Sequence, residues 1–246
     1  MTEWLTSPKD LSLKGNEVHV WRAPLDMPDV RIEKLFEVLS QEEKIRSARY
    51  HFSRDQKHFV AARGILRNIL ARYLAAEPEQ IVFSYDSRGK PFLCDTFNNK
   101  EISFNLSHAH DLALYAVAVK RKVGIDVESV QQDFQWEEIV ERFFSSVEQA
   151  ELWTLPVKDR LRAFYTYWTR KEAILKAMGT GLTDEMREIN GASEPLKSTC
   201  LSRAGYPRNG YAHWTLIDLD TGPRYASALA VEGRDWKLRC YMYSPE

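Results

Sequence analysis

Residues 123–129 read Val-Gly-Ile-Asp-Val-Glu-Ser (VGIDVES), branched apolar residues alternating with a glycine and two acids. A period of two predicts a β-strand with one face turned to a core. On that reading Val123, Ile125 and Val127 pack inward. Asp126 and Glu128 then share the opposite face, about 6.5–7 Å apart at Cα for a two-residue step. Two like charges side by side are either a solvated face or a seat for a cation. Hard divalent ions such as Mg²⁺ take carboxylate oxygens and keep open positions for water and phosphate. Gly124, with no side chain, is expected to leave room for a ligand on the acidic face. A metal site would need a third ligand from elsewhere in the chain.

Downstream, WEEIVERFFSSVEQAELWTL (136–155) reads as two helical pieces. Ser145 or Ser146 caps the second, with Glu148 in its first turn. KDRLRAFYTYWTRKEAILKAMG (158–179) predicts a long helix ending on Gly179 as its C′ residue. In it Glu172 and Lys176 are four apart and share a face with Trp168. Taken alone, such a pair is a surface ion pair worth a few tenths of a kcal/mol. Here it lies among Phe164, Tyr165, Tyr167 and Trp168, so little of the helix is purely solvated. Were the helix to cross the 123–129 strand, Glu172 would supply the third carboxylate and Lys176 would meet a phosphate.

Upstream, VHVWRAPL (18–25) reads as a strand, and residues 40–75 as helix interrupted near His51 to Asp55. Leu66, Ile69, Leu70 and Tyr73 give its later part an apolar stripe. IVFSYD (81–86), the turn SRGKP (87–91) and Phe-Leu form a hairpin-like unit, followed by neighbouring strands ISFNLSH (102–108) and LALYAVAV (112–119). Beyond a loop-rich stretch at 180–210, AHWTLIDLD, YASALAVEG and WKLRCYMY are three further strand candidates. Each half thus offers strands and one long helix. The expected fold class is α/β (α+β): two pseudo-symmetric halves, 1–121 and 122–246, each a small, mostly antiparallel sheet packed with a long helix.

Composition narrows the function. With 44% hydrophobic residues, 28% charged residues and a net charge of −1, the 246-residue chain is globular and shows no basic surface for nucleic acid. Lys44, Arg46 and Arg49 form a local basic cluster suited to a small anion. Cys94, Cys200 and Cys240 lack metal-ligand spacing and imply no disulfide framework, which suits a reducing cytoplasm. The start MTEWLTSPKD has no signal-peptide pattern, and no apolar run reaches the length of a membrane span. Gly89-Lys90-Pro91 is a turn that presents a lysine. Ser107 and His108 end a strand with two groups that can donate to a phosphate oxygen. They do not read as nucleophile and base, because adjacent strand residues point to opposite faces. Zinc binding by His108 and His110 lacks partners at usable spacing.

The order of the motifs GKP, FNLSH, VGIDVE, FFSSVE and WTRKEAILKAMGTGL closely resembles the 4′-phosphopantetheinyl transferases of the surfactin-synthetase-activating type, from about Arg46 to Leu182. The resemblance implies two pseudo-symmetric halves with coenzyme A in the cleft between them. It implies transfer of the phosphopantetheine arm to a serine of an apo acyl, peptidyl or polyketide carrier, releasing adenosine 3′,5′-bisphosphate. Asp126, Glu128 and Glu172 would bind Mg²⁺, or Mn²⁺ in its place, with Lys176 on phosphate near the reaction centre. Lys90, Ser107 and His108 would hold the 3′-phosphate of coenzyme A, and Arg46 and Arg63 would reach the same nucleotide. Glu148 falls where the family has a further acid. Glu172 is the first choice of general base and Glu148 the second. With both halves in one chain, a monomer is expected. Phe143, Phe144 and Leu152, beside Arg142, are candidates for docking an acidic carrier. The rival readings are a non-catalytic module that binds coenzyme A or a carrier, and a metal-dependent phosphohydrolase.

Overall fold

The computed structural model describes residues 2–94, 101–180, 186, 187, 189 and 214–244. In chain order the elements begin with β1 (Trp4–Thr6), β2 (Glu17–Pro24), α1 (Asp29–Glu37), α2 (Gln41–Ser47), α3 (Ser53–Leu74), β3 (Phe83–Tyr85), β4 (Pro91–Leu93), β5 (Ile102–Ala109) and β6 (Leu112–Val119). They continue with β7 (Val123–Ser129), α4 (Glu137–Phe143), α5 (Ser146–Thr154), α6 (Val157–Met178), β8 (Trp214–Asp218), β9 (Tyr225–Glu232) and β10 (Lys237–Met242). The chain forms a mixed α/β fold of two compact units. One comprises Trp4–Lys120 with Leu238–Glu246, the other Arg121–Lys237 with Met1–Glu3.

The first unit holds a five-stranded sheet in the order β1-β10-β2-β6-β5. The β2–β6 and β5–β6 pairs are antiparallel, whereas β1 runs parallel to β10. The last strand candidate of the sequence, WKLRCYMY, therefore returns to the sheet that contains β1 and β2. The 22-residue α3 lies on the sheet through Ile65, Leu66, Ile69 and Tyr73, which pack with Trp21, Phe104, Tyr115 and Val117. Tyr115 also donates its hydroxyl to Ala62 O of that helix. Helix α2 opens with a capping box: Ser40 Oγ accepts from Glu43 N, and Ser40 N donates to Glu43 Oε2. Between α2 and α3 the chain leaves helical structure at 48–52, close to the interruption read from the sequence.

The second unit has an antiparallel sheet β7-β9-β8 crossed by α6, also 22 residues long. Helix α6 ends on Gly179 in the left-handed conformation (φ 73°), the C′ glycine expected. Helix α5 opens on Ser145 with a second capping box closed by Glu148. The alternation of 123–129 correctly marks a strand, yet both of its faces are covered. Val123, Ile125 and Val127 are buried, and so are Gly124 and Asp126. A Cβ added at Gly124 would fall 2.0 Å from Ala173 O and 2.3 Å from Ala177 N. The expectation that Gly124 clears space for a ligand is thus corrected: it clears space for the backbone of α6. Ala228 and Ala230, registered opposite Asp126 and Gly124 on β9, keep the same face shallow.

Candidate active site

Small residues on strand and helix bring α6 down onto β7, and that close approach assembles the charged cluster. Glu172 and Lys176 adjoin the two alanines at the contact. Lys176 Nζ donates to Asp126 Oδ1 at 2.6 Å. Asp126 is buried, while the Lys176 side chain is 31% exposed, so the lysine stands at the boundary between protein and solvent. Burial, then the charge on Asp126, then that on Glu172 push the Glu128 carboxyl up to about 7, with Lys176 opposing. Glu172 is raised by burial and then by Asp126, again against Lys176. The charge on Asp126 thus disfavours ionisation of both glutamates, a repulsion that a divalent cation relieves.

Among the described residues no three His, Cys, Asp or Glu side chains are grouped tightly enough to form a ready-made metal cage. The donors still fit a hard cation. All are carboxylates, they are electrostatically coupled through Asp126, and Lys176 supplies the one positive charge that opposes the shifts of both Glu128 and Glu172. Beside Glu128 opens a cavity of about 230 Å³ walled by Phe134, Ile139, Phe164, Tyr165 and Trp168.

Glu148 is placed differently from the other acids. It is fully buried, accepts from Ser145 N, and lies 2.8 Å from Lys171 Nζ. Burial lowers the Lys171 pKa, against the pull of Glu148. Lys171 also donates to Met186 O and Ile189 O. This pair ties α5 and α6 to Met186 and Ile189, and the Glu148 carboxylate has no exposed surface. Phe144 and Leu152 are core residues packed with Phe164, which removes them as docking candidates. Phe143 is half-buried against Trp168.

The nucleotide candidates all lie in the first unit. Arg63 is buried on α3, with Nε donating to Glu43 Oε1 at 2.7 Å and Nη2 to Tyr85 OH at 2.8 Å. Glu43 Oε2 accepts from Arg67 Nε at 2.6 Å, and Arg67 Nη1 donates to Pro78 O and Ile81 O. Glu42, Glu43, Arg46, Phe59, Arg63, Tyr85 and Gly89 line a pocket of about 290 Å³, in which the Arg46 guanidinium lies 5.4 Å from the centre of the Phe59 ring. Lys90 is held in its turn by Asp86, whose Oδ1 accepts from Arg88 N and Lys90 N, with Gly89 left-handed at φ 79°. Ser107 and His108 separate. His108 is registered opposite Ala113 on the face that carries α3 and is exposed, whereas Ser107 faces the other way and is buried. Strand alternation thus turns the two side chains to opposite faces of β5.

Glu43, Tyr85 and Lys171 carry no local signal in the sequence that marks them as site residues. The signature Ser40-x-x-Glu43 announces a capping box. That its acid also gathers two arginines depends on tertiary packing.

The sequence pattern described as "4'-phosphopantetheinyl transferase superfamily" matches residues 122–230, and "4'-phosphopantetheinyl transferase, N-terminal" matches residues 28–120. The chain is 40% identical over 240 residues to the 4′-phosphopantetheinyl transferase HetI of Nostoc sp., covering 98% of each. The chain belongs to the 4′-phosphopantetheinyl transferase family. The transferase is also 32% identical to the psf-1 protein of Bacillus pumilus, over 65% of its own chain and 67% of that one. To the L-aminoadipate-semialdehyde dehydrogenase-phosphopantetheinyl transferase of Mus musculus it is 31% identical, over 71% and 62%. The transferase moves the 4′-phosphopantetheine arm of coenzyme A to a serine of a carrier protein. Among its described residues no helix is long and apolar enough to cross a membrane.

Proposed function

We propose that Asp126, Glu128, Glu172 and Lys176 are the reaction centre of this transfer. We further propose that the enzyme is a monomeric, cytoplasmic transferase of the surfactin-synthetase-activating type, dependent on Mg²⁺ or on Mn²⁺ in its place. One observation supports the reading above the others: Lys176 Nζ lies 2.6 Å from the same Asp126 whose charge raises both Glu128 and Glu172. Asp126, Glu128 and Glu172 would hold the cation, which would offset charge on the pyrophosphate oxygens.

The rest falls to the chain itself. The serine oxygen bonds to the β-phosphorus, the phosphoanhydride bond to the α-phosphate breaks, and adenosine 3′,5′-bisphosphate leaves. Lys176, oriented by Asp126 and open to solvent, stabilises negative charge as it develops on the phosphoryl oxygens. Glu172, one turn earlier on the same helix face, takes the serine proton directly or through a water. Glu148 contributes by holding Lys171 and the start of α5. Lys90, His108 and, less directly, Ser107 bind the 3′-phosphate, and Arg46 and Arg63 the same nucleotide. The aromatic cavity beside Glu128 gives the aliphatic part of the arm an apolar wall.

The test is to incubate the pure protein with coenzyme A, Mg²⁺ and a panel of apo acyl, peptidyl and polyketide carriers. A gain of one phosphopantetheine on the carrier, abolished by chelation and restored by Mg²⁺, is the expected result. An unchanged carrier throughout the panel would instead mark a binding module, and phosphopantetheine released into solution a hydrolase. A stable oligomer by mass measurement would overturn the monomer.

A further inference from the structure

Tyr85 joins two elements that carry the nucleotide candidates. It stands at the last position of β3, directly before the Asp86 turn, and its hydroxyl accepts from Arg63 Nη2 at 2.8 Å. Arg63 is gripped on its other side by Glu43 Oε1 at 2.7 Å, and its guanidinium lies 4.9 Å from the centre of the Phe83 ring. Glu43 cannot follow a moving arginine. Its other oxygen is held by Arg67, which is itself pinned to two backbone carbonyls, and by the cap of α2. Arg63 is thus a buried cation whose direction is set by a rigid carboxylate and one phenol. The same phenol is chained to Lys90: Tyr85 pairs with Pro91 across the hairpin, and Asp86 N donates to Lys90 O. Whatever fixes Tyr85 on Arg63 also fixes the lysine turn relative to α3.

We propose that Tyr85 is a positioning residue of the coenzyme A grip, registering the Lys90 turn against Arg63 through its hydroxyl. The inference rests on the reading that Arg63 and Lys90 bind the nucleotide. Tyr85 need not touch coenzyme A to act. Without the hydroxyl, one of the two groups that aim Arg63 is gone, while the packing of Phe83 and Leu93 stays in place. Tyr85 is itself 41% exposed, so losing one oxygen there costs the fold little.

The experiment measures steady-state kinetics of Tyr85→Phe with coenzyme A and with its 3′-dephospho form on one apo carrier, alongside Arg63→Met and Lys90→Met. Tyr85→Phe is expected to raise KM for coenzyme A about three- to tenfold with kcat within about twofold of wild type. The preference for coenzyme A over the dephospho form should fall by a similar factor, and the melting temperature should stay unchanged. A merely structural tyrosine would not move the preference ratio. Wild-type KM and ratio in Tyr85→Phe, while Arg63→Met and Lys90→Met raise KM, would overturn the role of Tyr85 alone. An equal rise in KM for both substrates, with the ratio unchanged, would overturn the registration of the lysine turn. Unchanged KM in Arg63→Met and Lys90→Met would overturn the nucleotide reading on which the inference stands.

Discussion

Asp126 crowds two other acids and is held against one lysine, and both effects decide what its removal does. Breaking a buried ion pair ordinarily costs several kcal/mol because the remaining charge is stranded. Here the surviving partner is Lys176, 31% exposed and able to turn toward water, while Glu128 and Glu172 lose a repulsive neighbour. Asp126→Ala should therefore shift folding stability by no more than about 1 kcal/mol. Transfer should fall roughly a hundred- to a thousandfold or more, the scale on which one electrostatic stabiliser is lost. A thermal melt far below that of wild type in metal-free buffer would show Asp126 to be structural. His19 is the opposite case, a titratable group sealed in a core. Its Nδ1 lies 2.9 Å from Tyr73 OH, which already accepts from Trp21 Nε1 and so can give its own proton to the ring. Burial lowers its pKa to about 4, against the pull of Glu17. An imidazole whose folded pKa lies below its unfolded value of about 6.5 binds its proton first in the unfolded chain. The stability of the neutral ring is fully present above pH 6.5 and is lost as pH falls toward 4, amounting to about 3 kcal/mol. Urea unfolding of wild type and His19→Gln across that interval should show the steeper decline in wild type, and equal slopes would refute the assignment.

At the scale of elements, the contact of α6 with β7 is the most sequence-sensitive packing in the second unit. Gly124→Ala drives a methyl group into the backbone at Ala173 and Ala177, which no side-chain rotamer can relieve. Destabilisation above about 3 kcal/mol is expected, with loss of transfer, because Glu172 and Lys176 move with the helix. Near-wild-type melting would mean that the helix can lift without harm. Ser145→Ala is gentler: it removes one half of the capping box, costs about 1 kcal/mol, and loosens the Glu148–Lys171 pair without exposing it. Urea midpoints measure both. These contacts also mark what could be read beforehand. The alternation in 123–129 identifies β7, and the four-residue spacing of Glu172 and Lys176 puts them on one face, because both signals are local. Which face of β7 the helix covers is not local: it depends on Gly124 meeting Ala173 and Ala177, which become visible as a matched set only after folding pairs them. The separation of Ser107 from His108 follows from strand alternation and was legible. Helix α1 buries only Ile32 and Leu35, and β1 spans three residues, so neither carries enough periodicity to be found.

The first unit as a whole depends on the far end of the chain. The superfamily match ends at residue 230, yet β10 follows it and lies between β1 and β2. Trp4, Leu5 and Thr6 register with Cys240, Tyr241 and Met242. The Tyr241 ring lies 5.0 Å from that of Trp21 and 5.2 Å from that of His19. Just beyond the strand, Tyr243 N donates to Arg22 O and its hydroxyl accepts from Asn68 of α3. Ending the chain after residue 236 would strip β2 of a neighbour and leave β1 nothing to pair with. The bared edge of β2 would then be a template for aggregation. Removing one buried aromatic side chain commonly costs 3–5 kcal/mol, and a strand's ladder goes with it, against a whole-domain stability of about 5–15 kcal/mol. The truncated protein should lose coenzyme A binding and the near-ultraviolet signal of Trp21, although Arg46, Arg63, Lys90 and His108 all remain in the chain. Calorimetric titration with coenzyme A and a near-ultraviolet spectrum measure this directly. If the shortened chain melted cooperatively at the wild-type temperature and bound coenzyme A with unchanged Kd, β10 would be an accessory to the sheet. The nucleotide grip would then be held by α3, the Tyr85 hairpin and β5 alone.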